Sequence, residues 1–149
     1  MKPSITPIMF AGLLVVSASL TAGAQQAPLP ATPAPAEAQE VEPLSIYFGT
    51  GSSSISTEGT LVLDEAARLF RAGDPIVMIV AGGADTIGDP RSNLELSIRR
   101  AQKVADGLVA RGIPVERLQV LGRGQSDLAV TTDTNVDNAQ NRVVEISWR

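Results

Sequence analysis

The chain has 149 residues, enough for one domain of ordinary size with ends that do not fold. Aromatic residues make up only 3% of the chain, so we expect a core of Leu, Ile, Val and Ala. There are sixteen acidic and twelve basic residues and no block of Lys and Arg, which argues against nucleic acid or anionic lipid as a partner. Without histidine or cysteine the chain lacks the usual general base, the commonest metal ligands, disulfides and an N-terminal lipid anchor. We therefore expect a binding module with no cofactor and no metal, and not an enzyme.

Residues 1–24 have the pattern of a secretory signal peptide. Lys2 precedes an apolar run over residues 5–20, and small residues at 22–24 form the cleavage pattern. The run is shorter than the roughly 20 apolar residues of a membrane span and is interrupted by Pro7. We predict cleavage after Ala24, which gives a periplasmic protein without a membrane span. An uncleaved leader would instead tether the chain to the inner membrane.

Residues 25–43 are composed mainly of Ala, Pro, Gln and Glu, with five prolines. Such a segment cannot bury enough apolar surface to offset the entropy of ordering it. We predict a disordered, largely extended linker.

Residues 44–149 are predicted to form a single domain with the element order β-α-β-α-β-β. Runs of β-branched and apolar residues predict strands over 44–48, 75–81, 118–122 and 142–148. The run 75–81 is apolar throughout, as in a central strand buried on both faces. Residues 131–140 are predicted to be a polar loop. The fold class is α+β, a two-layer sandwich with a mixed four-stranded sheet.

Two helices are predicted from apolar residues at helical spacing. The first is capped by Ser56 or Thr57 and runs to about residue 72, with Gly73 at the C-terminal cap. The second begins at Pro90 or Asn93 and runs to Arg111. The expected buried positions are Val62, Ala66, Leu69 and Phe70 in the first helix, and Leu94, Ile98, Ala101, Ala105 and Leu108 in the second.

The loop over residues 82–88 leaves the predicted central strand and enters the second helix. Such a loop presents free main-chain N–H groups and the positive end of the helix dipole to a ligand. Asp85 lies in this loop, and Asn93 and Arg100 lie seven residues apart on one stripe of the helix. We expect Arg100 on the shoulder of the helix, with its guanidinium over the pocket. A carboxylate opposite a guanidinium suits a zwitterion such as an amino-acid head group.

The segment 82–101, GGADTIGDPRSNLELSIRRA, resembles the signature of the OmpA-like (OmpA C-terminal) peptidoglycan-binding domain family. That signature is Gly-His-Thr/Ala-Asp, a nearby Gly, Tyr-Asn and then Leu-Ser-x-x-Arg-Ala. The resemblance extends from about residue 46 to 148. It implies an OmpA C-terminal-like fold and non-covalent binding of the peptidoglycan stem peptide through its diaminopimelate residue. It assigns the two charged contacts to Asp85 and Arg100, with Asn93, Arg142 and Ala84 as supporting contacts.

The chain departs from this family pattern at several positions. Gly83 and Ser92 replace the usual His and Tyr, Asp137-Asn138 replaces a common Gly-Arg pair, and Val143 replaces a second Arg. The central pair of Asp85 and Arg100 is intact. An interaction module that keeps the fold but recruits another envelope protein is therefore the alternative function.

Each candidate residue also has a purely structural interpretation. Asp85 can be a turn or cap residue, and Asn93 a helix N-cap. Arg100 can be a solvated helix charge, and Arg142 can form an ion pair at a sheet edge.

Overall fold

The computed structural model describes residues 42–149, which form one four-stranded sheet and two long helices. The strands are β1 (Leu44–Tyr47), β2 (Met78–Gly83), β3 (Leu118–Gly124) and β4 (Val143–Trp148); the helices are α1 (Thr57–Gly73) and α2 (Pro90–Val109), with short 3-10 turns at Val115–Arg117 and Ala139–Asn141. The predicted leader and all but the last two positions of the predicted linker lie outside the described residues. None of the helices between residues 42 and 149 combines the length and hydropathy that crossing a bilayer requires.

The sheet has the strand order β1-β4-β2-β3. Strand β4 is antiparallel to both of its neighbours, whereas β2 and β3 are parallel, so the predicted mixed sheet is confirmed. Strand β2 is interior, and Met78 and Val80 are fully buried, as predicted for a central strand. It begins at Met78 rather than at the predicted Pro75, and Ile76 is 81% exposed. At its other end β2 extends to Gly83, which places Asp85 just past the end of the strand.

Helix α1 begins as predicted and ends one residue later than predicted. The hydroxyl of Ser56 accepts a hydrogen bond from the Gly59 N–H at 3.1 Å, which identifies Ser56 as the N-cap. Gly73 is still helical, and Asp74 has the left-handed conformation, with φ 41°. The predicted buried face is partly wrong: Ala66 and Phe70 are buried as expected, but the other buried side chains are Leu63 and Ala67 rather than Val62 and Leu69.

Helix α2 is capped by Asp89, whose carboxylate accepts a hydrogen bond from the Ser92 N–H at 2.9 Å. Asn93 is therefore inside the helix and does not cap it. The helix ends at Val109, before the predicted Arg111, and Gly112 follows with a positive φ of 87°. The predicted apolar stripe is also wrong at Leu94, which is 42% exposed. The buried residues of α2 are Asn93, Ser97, Arg100, Ala101, Val104, Ala105 and Leu108.

Helix α2 lies close against β2 and β3 because small residues face it from both strands. A Cβ atom on Gly82 would overlap the carbonyl oxygen of Ser97 and lie 3.0 Å from its carbonyl carbon. A Cβ on Gly122 would overlap Ile98. The Ser97 hydroxyl accepts a hydrogen bond from the Gly124 N–H at 2.9 Å, which joins the helix to the end of β3. This close contact sets the position of α2 relative to the loop that carries Asp85.

Candidate functional site

Asp85 is a buried carboxylate at the end of the central strand. Asp85 as a whole is only 6% exposed. Oδ1 accepts a hydrogen bond from the Ile87 N–H at 3.3 Å, and Oδ2 accepts one from Nη1 of Arg142 at 3.0 Å. Asp85 is thus both the turn residue of its structural interpretation and half of a buried ion pair.

Asn93 holds the loop that contains Asp85. Its Nδ2 lies 3.2 Å from the Asp85 carbonyl oxygen, 2.8 Å from that of Ile87 and 2.9 Å from Oε1 of Gln125. An amide nitrogen has two hydrogens, so these three acceptors share two donors. Asn93 therefore shapes the loop from within α2.

Arg142 joins Asp85 to the segment that follows β1. Its Nε donates to the carbonyl oxygen of Phe48 at 3.1 Å, and the Phe48 N–H donates back to the Arg142 carbonyl at 2.8 Å. Nη1 also contacts the carboxylate of Asp137. Burial lowers the pKa of Arg142, but the hydrogen bonds that it donates to Asp85 and Asp137 outweigh this effect, and the net shift of the pKa is upward.

Arg100 is completely buried, so the expected position on the shoulder of the helix is wrong. Its Nε donates to the carbonyl of Ser52 at 2.7 Å, Nη1 to that of Gly83 at 3.1 Å and Nη2 to that of Gly49 at 2.9 Å. The helical-wheel estimate failed because the loop over residues 48–52 covers this side of α2. Arg100 therefore connects helix α2 to the segment after β1 and to the end of β2.

In the part of the chain that the structure describes, no carboxylate forms a direct ion pair with Arg100. Its guanidinium carbon lies 5.3 Å from the centre of the Phe48 ring, and no ion pair joins Arg100 to Asp85 within residues 42–149. Burial is the main cause that lowers its pKa, the charge of Asp85 raises it and that of Arg142 lowers it, and the net pKa is about 10. Arg100 is therefore a charged group at neutral pH, placed behind the Asp85–Arg142 pair.

Ala84 is a weaker candidate for contact with a ligand than the sequence predicts. It is 1% exposed, and its N–H donates to the carbonyl oxygen of Gly124 at 2.8 Å. This donor is used within the sheet edge and is not free for a ligand.

The structure adds two residues that sequence reasoning missed, Thr86 and Asp137. The Thr86 hydroxyl donates to the carbonyl of Asp133 at 2.6 Å and accepts from the Val136 N–H at 3.0 Å. The Thr86 carbonyl accepts from the Asn135 N–H at 2.9 Å. The polar loop of residues 131–140 is thereby held beside Asp85, and it carries Asp137 to Arg142. In the sequence, the only sign that this loop belongs to the site is the departure from the family pattern at Asp137-Asn138.

We expect Thr86→Val to lower the free energy of unfolding by about 1–3 kcal/mol, because a buried hydroxyl with two main-chain partners is replaced by a methyl group of equal size. Urea unfolding followed by circular dichroism measures the change. Thr60→Val is the control, since its hydroxyl makes only an exposed bond to the Ser56 carbonyl. Equal stability of the two variants would mean that Thr86 does not hold the loop.

Taken together, the site contains two carboxylates, Asp85 and Asp137, and two guanidinium groups, Arg100 and Arg142. Within residues 42–149 no cluster of three or more acidic side chains could hold a metal ion. Opposite charges on neighbouring buried groups are suited to a ligand that carries both an ammonium and a carboxylate group.

Comparison with known sequences finds a family match over most of the described domain. The model of the OmpA family matches residues 47–142, more than half of the chain. Outer membrane protein A of Yersinia pseudotuberculosis is 35% identical over 144 residues, which cover 91% of this chain and 40% of that protein. Outer membrane protein A of Bordetella avium is 36% identical over 114 residues, covering 76% of this chain and 59% of that protein. The chain thus spans about half the length of these relatives.

Solved structures share the fold at lower sequence identity. The peptidoglycan-associated lipoprotein of Burkholderia pseudomallei superposes with a TM-score of 0.65 at 22% identity, covering 70% of this chain and 89% of that one. The C-terminal domain of MotB from Helicobacter pylori gives a TM-score of 0.62 at 20% identity, covering 73% and 84%. These likenesses bear out the α+β sandwich, and the family match bears out the resemblance carried by residues 82–101. This chain belongs to the OmpA family.

Proposed function

We propose that this protein binds peptidoglycan non-covalently in the periplasm, by holding the diaminopimelate residue of the stem peptide at Asp85. The side-chain end of diaminopimelate is an amino-acid head group, with an ammonium and a carboxylate on one carbon. The ammonium is received by Asp85, and the carboxylate is received by Arg142. The bound stem peptide links the domain to the cell wall without chemical change to either partner.

The observation that carries this proposal is the carboxylate of Asp85, 6% exposed and 3.0 Å from a guanidinium nitrogen of Arg142. A buried ion pair contributes little net stability once desolvation is counted, so stability alone does not account for it, and a role in ligand binding is consistent with it. A zwitterion can replace the pair's internal contact with two new ones, because each protein charge gains an opposite charge from the ligand.

Arg100 supports the proposal in a different way from the one expected from the sequence. Its three nitrogens are occupied by main-chain carbonyls, so it acts on the ligand through its charge and by fixing the loop at residues 48–52. Arg142 binds the same loop through Phe48. Arg142 is therefore the guanidinium that we assign to direct contact, and Arg100 is the group that positions it.

The family and the fold add independent support. The chain belongs to the OmpA family, and a solved structure of the same fold is named for its association with peptidoglycan. The leader predicted over residues 1–24 would deliver the chain to the periplasm, and the linker over 25–43 would let the domain reach the wall.

The test is sedimentation of the purified protein with peptidoglycan sacculi. We expect Asp85→Asn to weaken binding about tenfold or more, because the amide keeps the shape of the side chain and removes the charge that the ammonium needs. Asp127→Asn is the matched control: its carboxylate is 69% exposed and pairs with Arg123, away from Asp85, so binding should be unchanged. Circular dichroism verifies that both variants fold.

Two results would contradict the proposal. Equal sedimentation of the wild type and Asp85→Asn would remove Asp85 from the site. A wild-type protein that ignores sacculi would overturn peptidoglycan binding and favour the alternative, a module that recruits another envelope protein.

A further inference from the structure

The loop that reaches the candidate site from the other side is tied down next to Asp85. Thr86 holds it through three hydrogen bonds, at Asp133, Asn135 and Val136. Asn135 adopts a positive φ of 64°, which turns the chain so that the next residues run back toward the site. Asp137, two residues after Asn135, is thereby placed at Arg142.

Asp137 and Asp85 contact the same nitrogen of Arg142. Nη1 is bonded both to Oδ2 of Asp85 and to Oδ1 of Asp137. The Arg142 side chain is 12% exposed and that of Asp85 is 8% exposed, whereas that of Asp137 is 59% exposed. Asp137 therefore lies on the solvent side of the pair, where a ligand from solution arrives.

This position gives Asp137 opposite effects on the two charges of a zwitterionic head group. It adds a second carboxylate for an incoming ammonium. It also occupies Arg142 and repels an incoming carboxylate.

We infer that Asp137 is a specificity-determining residue of this site, which strengthens recognition of the ligand's ammonium and weakens recognition of its carboxylate. The inference rests on the proposed function and deepens it. The site of this protein is then more tolerant of a head group that lacks the carboxylate than the same site would be without Asp137.

The experiment compares two synthetic stem tripeptides that differ only in the third residue, diaminopimelate or lysine. Lysine keeps the terminal ammonium and lacks the terminal carboxylate. Isothermal titration of the full chain gives a Kd for each peptide, and the ratio of the two values measures recognition of the carboxylate. We expect Asp137→Asn to raise the preference for diaminopimelate about threefold or more. The ammonium contact weakens equally for both peptides and cancels in the ratio. The substitution also frees Arg142, and only the diaminopimelate peptide has a carboxylate that can use it.

Asp133→Asn is the control, since it removes the same charge from the same loop and Asp133 forms no side-chain ion pair within residues 42–149. It should leave the ratio at the wild-type value. A wild-type protein that binds the diaminopimelate peptide but shows the same ratio after Asp137→Asn would overturn this inference and leave the proposed function standing. Failure of the wild type to bind either peptide would overturn both.

Discussion

Arg100→Met is expected to lower the free energy of unfolding by about 3–5 kcal/mol. The substitution leaves the buried carbonyl oxygen of Gly83 and the partly buried carbonyl oxygens of Ser52 and Gly49 without their donors. Removing the charge also removes its desolvation cost, so the loss is smaller than three separate unsatisfied carbonyls would give. Urea unfolding monitored by circular dichroism measures the difference.

Two further variants separate the effect of the lost charge from the effect of the lost hydrogen bonds. Arg100→Lys keeps the charge but cannot direct donors to three separate carbonyls, so its loss should be intermediate, about 1–3 kcal/mol. Arg99→Met is the control from the adjacent position, because the Arg99 side chain is 56% exposed and its ion pair with Glu95 is long, at 3.9 Å. Its effect should stay within about 0.5 kcal/mol. If Arg100→Met were as stable as Arg99→Met, the guanidinium would not hold the loop.

This result bears on how binding data for Arg100 variants should be interpreted. The loop that Arg100 holds includes Phe48, whose carbonyl accepts from Arg142. A loss of sacculus binding in an Arg100 variant therefore has two sources, the missing charge and the displaced loop. Asp85→Asn keeps the size of the side chain and leaves the three hydrogen bonds of Arg100 in place, and for that reason it is the test of the proposed function.

Gly82→Ala is expected to cost about 3 kcal/mol or more. A Cβ at this position would overlap the Ser97 carbonyl oxygen and lie 3.3 Å from the Cβ of Ala101, and main-chain atoms of a buried helix cannot move aside as a flexible side chain can. Helix α2 would have to move away from β2, which would also shift Asn93 from the Asp85 loop. The midpoint of urea unfolding measures the change in stability.

Gly73→Ala provides the matched control. Gly73 is also a glycine of the folded domain, but a Cβ there meets nothing within 4 Å, and the residue is helical. This variant should be neutral or more stable by a few tenths of a kcal/mol, since alanine loses less entropy than glycine in a helix. A loss at Gly73 as large as that at Gly82 would show that close packing of α2 on β2 is not the cause.

Much of the fold was predictable because it depends on interactions between residues that are near in sequence. Ser56 caps α1 through the Gly59 N–H, three residues away, and the apolar run after Pro75 becomes the buried interior strand β2. The boundaries were less accurate. Asp74, not Gly73, takes the left-handed conformation, and Asp89, not Asn93, is the cap of α2. Helix α2 does begin at Pro90, one of the two predicted starts.

The position of Arg100 could not be predicted from the helix alone. A helical wheel places it away from the apolar centre, and in a solvated helix it would be a shoulder residue. The loop over 48–52, 48 or more residues earlier in the chain, covers that side and supplies two of the three carbonyls. The third carbonyl belongs to Gly83 at the end of β2. A charged side chain becomes a core residue when distant main chain satisfies its donors, and sequence spacing does not show that.

The sequence by itself determined the signature over residues 82–101, the mixed α+β class and the presence of an acid in the loop after the central strand, because each follows from local pattern. Only the tertiary structure decided which guanidinium contacts that acid. Asp85 and Arg142 are 57 residues apart, and Arg142 meets Asp85 because β4 pairs with β2. Asp137 joins them because Thr86 holds its loop across a separation of about 50 residues. Contacts of this range are set by strand pairing and loop closure, which leave no periodic trace in the chain.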